Sequence, residues 1–521
     1  QQVQQSSRRG SRIRRRMSTM TQRQTKVGSS RGAGFSSFWL LAAVVNVASG
    51  LVPAPARTVV IGGGPAGLTT AISLARRGWT NVEVLERLQP PPKLSDAESW
   101  SDTARFYLIG LNGRGISVLE EVGVWDRVRD VSADVRGRRE WSPGSVAEGV
   151  ETVRTDRPPI KIVARDRLVA CLLEVCGELG INVRHGVEVA KLAWDEDEQA
   201  VLSLQRCGPE DWTADDDENN APFLAEEKVP FLVACEGVRR GGVSEAMETD
   251  TMYKEKFKVT QYEDDNVRRY KTVPFKPPKD WRRDINYSAR TSGGKVNFDA
   301  LPTADGDEYC GVLLVRPDDV LATPGGLKDV AAARAYFDDC LPMISPYIED
   351  STLASVIEKP VSRFPAFAYA GPRLHRGKST VLLGDAIHAV KPYFGLGANT
   401  ALQDVAVLNE ALDTEDSLGD ALELYSRKRA SEAKDLVELS RSFDHPGPRM
   451  FIQFIGPIIL DSIFSKLAPR IFAPNPLALL QRPELSFGAI RRRKRQDRLI
   501  QLAFLGSVAW AVASLSLRIV L

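Results

Sequence analysis

Val59-Val60-Ile61-Gly62-Gly63-Gly64-Pro65-Ala66-Gly67 is the stretch whose reading decides the fold. Three β-branched residues in a row predict a short buried strand, and the glycines that follow are spaced G-x-G-x-x-G. A helical run from Leu68 to Arg77 comes next and stops at Gly78, and Val82-Glu83-Val84-Leu85-Glu86 then reads as a second strand ending in an acid. Each part has a physical task in holding a dinucleotide. Gly62 makes the tight turn, Gly64 lets the backbone approach a pyrophosphate, and Gly67 brings the helix close to the strand. Pro65 and Ala66 complete the turn, Glu86 is placed to accept from a ribose hydroxyl, and Arg87 stands beside it. Glycine spacing alone is weak, but strand, loop, helix, strand and acid in this order define a dinucleotide site.

A second glycine-lined turn lies some three hundred residues downstream. Thr380-Val381-Leu382-Leu383 reads as a buried strand and runs into Gly384-Asp385-Ala386-Ile387-His388-Ala389. Pro392, Phe394, Gly395, Gly397, Ala398 and Asn399 follow, and a helix is expected from about Ala398. Glycines here permit close backbone approach, and the helix start offers free N–H groups at its positive dipole end. His388, a lone histidine after an acid, reads as structural. The two turns are expected to share one cleft.

The whole chain of 521 residues has room for two or three domains. Its 69 basic and 67 acidic residues nearly balance, which gives no reason to expect nucleic acid. The balance is uneven along the chain, because no Asp or Glu occurs before Glu83 while Arg, Lys and Ser crowd the first 31 residues. Residues 1–56 therefore read as a targeting leader, with Phe38–Val47 as an apolar run and Ala48-Ser49-Gly50 as a cleavage-type site. Six cysteines show no C-x-x-C pair and four histidines show no metal spacing, so reduced thiols and no metal site are expected.

The fold class expected is α/β (α+β overall). A Rossmann-like dinucleotide domain is assembled from 57–135, 160–246 and 358–435. An inserted antiparallel-sheet substrate domain, 136–159 and 247–357, would form a lid over it, since segments such as Lys295–Phe298 and Tyr309–Val315 alternate in polarity. The acidic stretch Asp211–Asn220 reads as a solvated loop. C-terminal helices occupy 436–498, with a break expected at Gly456-Pro457. A basic cluster, Arg491–Arg495, precedes an apolar run from Leu499 to Leu517, which predicts a terminal transmembrane helix over 499–521.

Together these pieces resemble the single-component flavin-dependent aromatic hydroxylases over nearly the whole chain from Val59 onward. Gly62–Gly67 is similar to that family's ADP-binding turn, Gly384-Asp385 to its second acid motif, and Cys235-Glu236-Gly237 falls where it has Asp-Gly. Within the family the likeness is greatest to the kynurenine-hydroxylating members. It rests there on Val163–Leu168, on Pro392–Asn399 and on the layout of the C-terminal tail. The resemblance implies FAD as cofactor and NADPH as co-substrate, with NADH left open. It also implies O2, a small aromatic substrate and a flavin C4a-hydroperoxide. Asp385 would accept from a ribityl or ribose hydroxyl, and Arg165 would reach the pyrophosphate or flavin edge. Gly384, Gly395, Gly397, Ala398 and Asn399 would frame the flavin, and Pro392 and Phe394 would wall the reacting ring. Arg138 falls near an arginine that grips the substrate carboxylate. Residues alone also leave open a flavin epoxidase or reductase of an isoprenoid, and a non-catalytic flavin-binding membrane protein. A location on an organelle membrane (mitochondrial outer, plastid or endoplasmic reticulum) is expected. Two departures stand out. Glu236 is longer than the family's Asp, and Glu438–Asp444 lacks the tyrosines expected near substrate.

Overall fold

The computed structural model describes residues 52–520 apart from 102–106, 144–147, 156–157, 208–222, 292–293, 305, 324, 443 and 446–447. The expected leader and the acidic Asp211–Asn220 loop lie outside the described residues.

The opening stretch folds as its spacing predicts. Strand β1 (Thr58–Ile61) leads through the glycine turn into helix α1 (Pro65–Arg76), with Pro65 in the first turn, where its missing N–H costs nothing. Strand β2 (Val82–Glu86) returns parallel to β1, with Val60 opposite Val84. Helix α2 (Arg165–Glu178) leads to β3 (Asn182–His185), and β4 (Phe231–Ala234), β5 (His375–Arg376) and β6 (Thr380–Leu382) complete a six-stranded sheet ordered β5-β6-β4-β1-β2-β3. All neighbours are parallel except β5 with β6. The centre of this sheet is buried on both faces, and β1, β4 and β6 are accordingly near-continuous apolar runs rather than alternating ones. Val59, Val60, Val84, Leu232, Val233 and Val381 are wholly buried in the largest core, with α1 (Leu68, Ile72) and α2 (Leu168, Leu172) packed into it.

A second sheet of seven strands stands beside the first, in the order Ser362–Arg363, Arg269–Phe275, Tyr309–Val315, Val296–Pro302, Ile285–Arg290, Gly137–Trp141 and Val150–Val153. The expected purely antiparallel sheet is corrected at one seam, because Ile285–Arg290 pairs parallel with Gly137–Trp141. Two segments far apart in sequence meet there, so no tight hairpin links them and the antiparallel constraint does not apply. One face of this sheet buries Phe275, Tyr287, Phe298 and Tyr309 against the helices Val330–Cys340 and Asp350–Glu358. The opposite face turns toward the cleft described below.

Helix α3 (Gly397–Thr414) and the long α4 (Leu418–Arg441) return the chain to the first core. The expected break at Gly456-Pro457 does not occur. Instead the chain changes winding, from a π-helical turn, Phe451–Ile455, to α5 (Gly456–Leu467), whose first turn tolerates Pro457.

The last helix, α6 (Phe487–Val520), carries the apolar run read as a membrane span. Among the described residues no helix is long and apolar enough to cross a membrane. Near the start of the apolar run, polar side chains on the inner side of α6 are held by protein. Lys494, Asp497 and Gln501 are buried, and Gln501 donates to the buried Asp461 of α5 at 3.1 Å. At the start of the apolar run only Gln501 is buried, while Leu499, Ile500 and Leu502 are exposed.

Candidate active site

Both glycine turns open into one cleft of about 2750 Å³ between the two sheets. A ligand pocket for a drug-sized molecule measures roughly 300–1,000 Å³, so this cleft has room for a dinucleotide and a second ligand together. Gly62, Gly64, Pro65, Ala66 and Gly67 line it from the first turn, with Glu86 and Arg87 at the end of β2. Gly384, Asp385, Pro392, Phe394, Gly395, Gly397 and Ala398 line it from the second, and Arg138 and Arg165 also reach it.

The first turn is shaped by close packing. Gly62 has φ +101°, and a Cβ there would lie 2.2 Å from the carbonyl oxygen of Cys235. A Cβ on Gly67 would stand 1.9 Å from the Gly62 carbonyl oxygen. Gly64 is different. Only the Arg165 guanidinium, at 3.8 Å, comes near the position of its missing Cβ, so the protein leaves that space open toward the cleft. Glu86 accepts from the backbone N–H of Gly63 at 2.5 Å and of Leu88 at 2.7 Å, which fixes its carboxylate at the cleft edge.

The second turn is held from behind. Gly384 adopts φ +70° and donates its N–H to Asp404 of α3 at 2.8 Å. Asp404 is fully buried, receives His388 Nε2 at 2.9 Å and forms an ion pair with Arg429 of α4. Burial alone would raise the Asp404 carboxyl, but the charge of Arg429 and the bond from His388 hold it below the usual carboxylate range. On the opposite side Arg240 donates to the carbonyls of Asp385 and Ala386, both at 3.0 Å. Burial pushes the Asp385 carboxyl up from its ordinary value. The segment following the Asp-Gly-like motif is thus tied to the second turn through Arg240.

Glu236 shows what the longer acid does. It accepts from Ser244 N at 2.9 Å, Ser244 Oγ at 2.7 Å and Val243 N at 3.2 Å, so it caps the helix Val243–Thr249. Burial raises its carboxyl.

One predicted site residue is corrected. Asn399 does not reach the cleft surface. Its side chain is wholly buried, donating to the carbonyls of Gly110 at 2.7 Å and Gly395 at 2.6 Å and accepting from Asn112 N at 2.9 Å. With every polar side-chain atom committed to backbone, the Asn399 side chain braces the loop that lines the cleft. Arg138 does face the cleft, half-exposed and paired with Glu140 at 3.0 Å.

The ring-binding end has features that sequence reading did not assemble. Tyr107, Tyr270, Phe364 and Tyr393 form a wall of four aromatic rings on the cleft. Tyr270 and Phe364 stack at 4.6 Å and 14°, while Tyr107 and Tyr393 extend the row at 6.4 and 6.3 Å. Where the tyrosines of the C-terminal segment were expected, Asp444 lines the cleft and receives the buried Lys391 Nζ at 2.5 Å. Lys391 also pairs with Asp264 and donates to Asn266 O at 3.1 Å, so it rivets the flavin-side loop to two other walls.

These residues fit FAD. The open space before Gly64 suits a pyrophosphate. Helix α3 begins at Gly397 with no side-chain cap and no acid in its first turn, leaving its first N–H groups to a ligand anion. The FAD binding domain family matches residues 56–272 and 332–440, and the chain belongs to that family. It is an FAD-dependent monooxygenase, similar to kynurenine 3-monooxygenases. That of Salinispora arenicola is 26% identical over 476 residues, spanning 89% of this chain and 97% of its own. That of Phaeosphaeria nodorum is 26% identical over 408 residues, with 74% of this chain and 77% of its own covered. Among solved structures, tetrameric 2-methyl-3-hydroxypyridine-5-carboxylic acid oxygenase superposes with TM-score 0.56 at 19% identity, covering 76% of this chain and 95% of its own. A Klebsiella pneumoniae HpxO variant complexed with FAD gives TM-score 0.54 at 17% identity, covering 81% of this chain and 96% of its own. These last two share the fold.

Asp385→Ala is expected to weaken FAD retention by about 10- to 100-fold, the worth of one charge-assisted hydrogen bond. Equilibrium dialysis of flavin against the purified variant measures it, and unchanged retention would remove Asp385 from the cofactor site.

Proposed function

We propose that this protein uses FAD and NADPH to insert one atom of O2 into a small aromatic, kynurenine-like substrate, and that its C-terminal helices hold it at a membrane. The observation that carries the reading is the four-ring aromatic wall standing in the same cleft as the two glycine turns. When bound, FAD supplies the reduction by nicotinamide and the activation of oxygen. The chain does the rest. Gly62–Gly67 and Arg165 hold the pyrophosphate, and the open N-terminus of α3 stabilises negative charge on the flavin ring. Tyr270 and Phe364 offer flat faces against which a substrate ring stacks, at a gain of about 0.5–1.5 kcal/mol beyond area burial. Arg138, on a strand lining the cleft, is one of several cations there and the one assigned to a substrate carboxylate. Pro392 and Phe394 exclude water from the reacting end.

The relatives named kynurenine 3-monooxygenase support the substrate class, as does the stacking wall. Screening the yellow protein for aromatic compounds that accelerate NADPH oxidation tests it, with kynurenine first. The expected result is acceleration coupled to one hydroxylated product per NADPH. Slow, substrate-independent oxidation across aromatic amino acids and acids would refute the reading. Arg138→Met should then raise KM for a carboxylate-bearing substrate about 10-fold or more while leaving kcat nearly unchanged, because the contact is made equally in ground and transition states.

A further inference from the structure

The C-terminal helices carry an apolar surface that the rest of the protein leaves bare. On α5, Ile459, Ile463 and Leu467 are exposed, and on α6 so are Leu502, Phe504 and Trp510, the last 74% accessible. The two helices form one slab where they meet, and residues 505–513 of α6 extend beyond it exposed on every side. Phe464 and Phe504 meet edge to face at 5.8 Å, and the buried Asp461 takes Gln501 at 3.1 Å and Lys494 at 3.3 Å. Single exposed leucines need no explanation, but a contiguous apolar face marks an interaction surface.

Charge indicates what covers it. From residue 446 to the end the only acids in the sequence are Asp461, Glu484 and Asp497. Asp461 and Asp497 are buried in ion pairs with Lys494. Lys466, Arg470, Arg492 and Arg495 are exposed and form no ion pair among the described residues. An apolar face rimmed by unpaired cations and nearly free of carboxylates complements an anionic bilayer surface.

The edge of this slab reaches the cleft. The π-helical turn Phe451–Ile455 precedes α5 directly, and such turns interrupt the regular ladder and recur at functional places. On its outer side Phe451 and Ile452 are 58% and 72% exposed. On its inner side Phe454 and Ile455 line the cleft, and Phe454 meets Phe394 of the flavin-side loop at 6.4 Å. One turn therefore belongs to both the bare apolar surface and the site.

We propose that this turn is a doorway. The slab lies on an anionic bilayer, and an amphipathic aromatic substrate that partitions into the bilayer interface passes beside Phe454 into the cleft without returning to water. Phe451 and Ile452, exposed on the outer side of the turn, sit among the acyl chains at its mouth. This rests on the membrane part of the functional reading.

The test uses the full-length, FAD-loaded protein with vesicles of phosphatidylcholine, alone or mixed with phosphatidylglycerol. Flavin fluorescence is quenched from water by iodide and from the bilayer by a doxyl-labelled hydrocarbon dissolved in it. On the anionic vesicles the protein floats with the lipid, doxyl quenching of the flavin appears, and the iodide quenching constant falls. Ile452→Asp, at an exposed position outside the cleft lining, keeps its flavin but loses the doxyl quenching. Flotation with both quenching constants unchanged overturns the doorway and leaves the membrane reading intact. Failure to float overturns both, whether the protein then proves monomeric or covers the face with a second copy in size-exclusion light scattering.

Discussion

Gly64→Val is expected to give a folded, colourless protein. A Cβ at this position meets nothing of the protein closer than the Arg165 guanidinium at 3.8 Å, and the φ of the residue, −75°, suits any side chain. The folded chain thus accepts valine, yet its branched methyls fill the space where a pyrophosphate must approach the backbone. FAD affinity should fall by about 100-fold or more, on the order of 3 kcal/mol, while the thermal transition of the apoprotein stays within about 0.5 kcal/mol of wild type. Visible absorbance of the purified protein and circular dichroism separate the two effects. Gly67→Val makes the contrast. Its Cβ would stand 1.9 Å from the Gly62 carbonyl oxygen, so that variant should fail to fold at all. A yellow Gly64→Val protein would place the cofactor elsewhere.

Asp404→Asn is expected to cost about 3–5 kcal/mol of stability, because it leaves the buried Arg429 charge without its counter-ion. Arg429 is 3% exposed and Asp404 wholly buried, so water cannot compensate. The same change weakens the acceptor for the Gly384 N–H, and flavin retention should fall although Asp404 is screened from the cleft by the turn it supports. pH dependence supplies an independent check. The folded-state value for Asp404 is depressed, so its contribution is present above the unfolded value, about 3.9. It is lost as pH falls through the lower folded value. Wild type should therefore lose stability steeply below about pH 4, and the variant should show a flatter acid limb in urea titrations followed by tryptophan fluorescence. Equal acid limbs would mean that Asp404 carries no net stabilisation.

Much of this was legible in the chain because the determinants are local. The strand, turn and helix around Gly62–Gly67 depend on neighbours within a few residues, and so does the Gly384-Asp385 turn. What escaped depends on distant partners. Arg240 braces Asp385 from 145 residues away, and nothing in the spacing of Gly237–Gly242 announces it. The aromatic wall draws Tyr107, Tyr270, Phe364 and Tyr393 from four separate segments, each unremarkable alone. Asn399 was misplaced because its position in a glycine-rich loop says nothing about which way the side chain turns once α3 begins. It is buried behind Gly110 and Asn112, which line the cleft in its place. The membrane span was over-read for a related reason. The run was read from its apolar residues alone, whereas the engagement of Gln501 within it, and of Lys494 just before it, by Asp461 depends on a separate helix.

The parallel seam between Gly137–Trp141 and Ile285–Arg290 bears on how the molecule is made. On a ribosome the first of these strands emerges well over a hundred residues ahead of the second. Until its mate arrives it has only the short Val150–Val153 beside it, with one flank of N–H and C=O groups unsatisfied. Such a flank is a template for the wrong neighbour, including another nascent copy. Chains stopped anywhere between the two strands keep that flank open permanently, so truncated products of this protein should aggregate, whereas completed ones close the seam and stay dispersed.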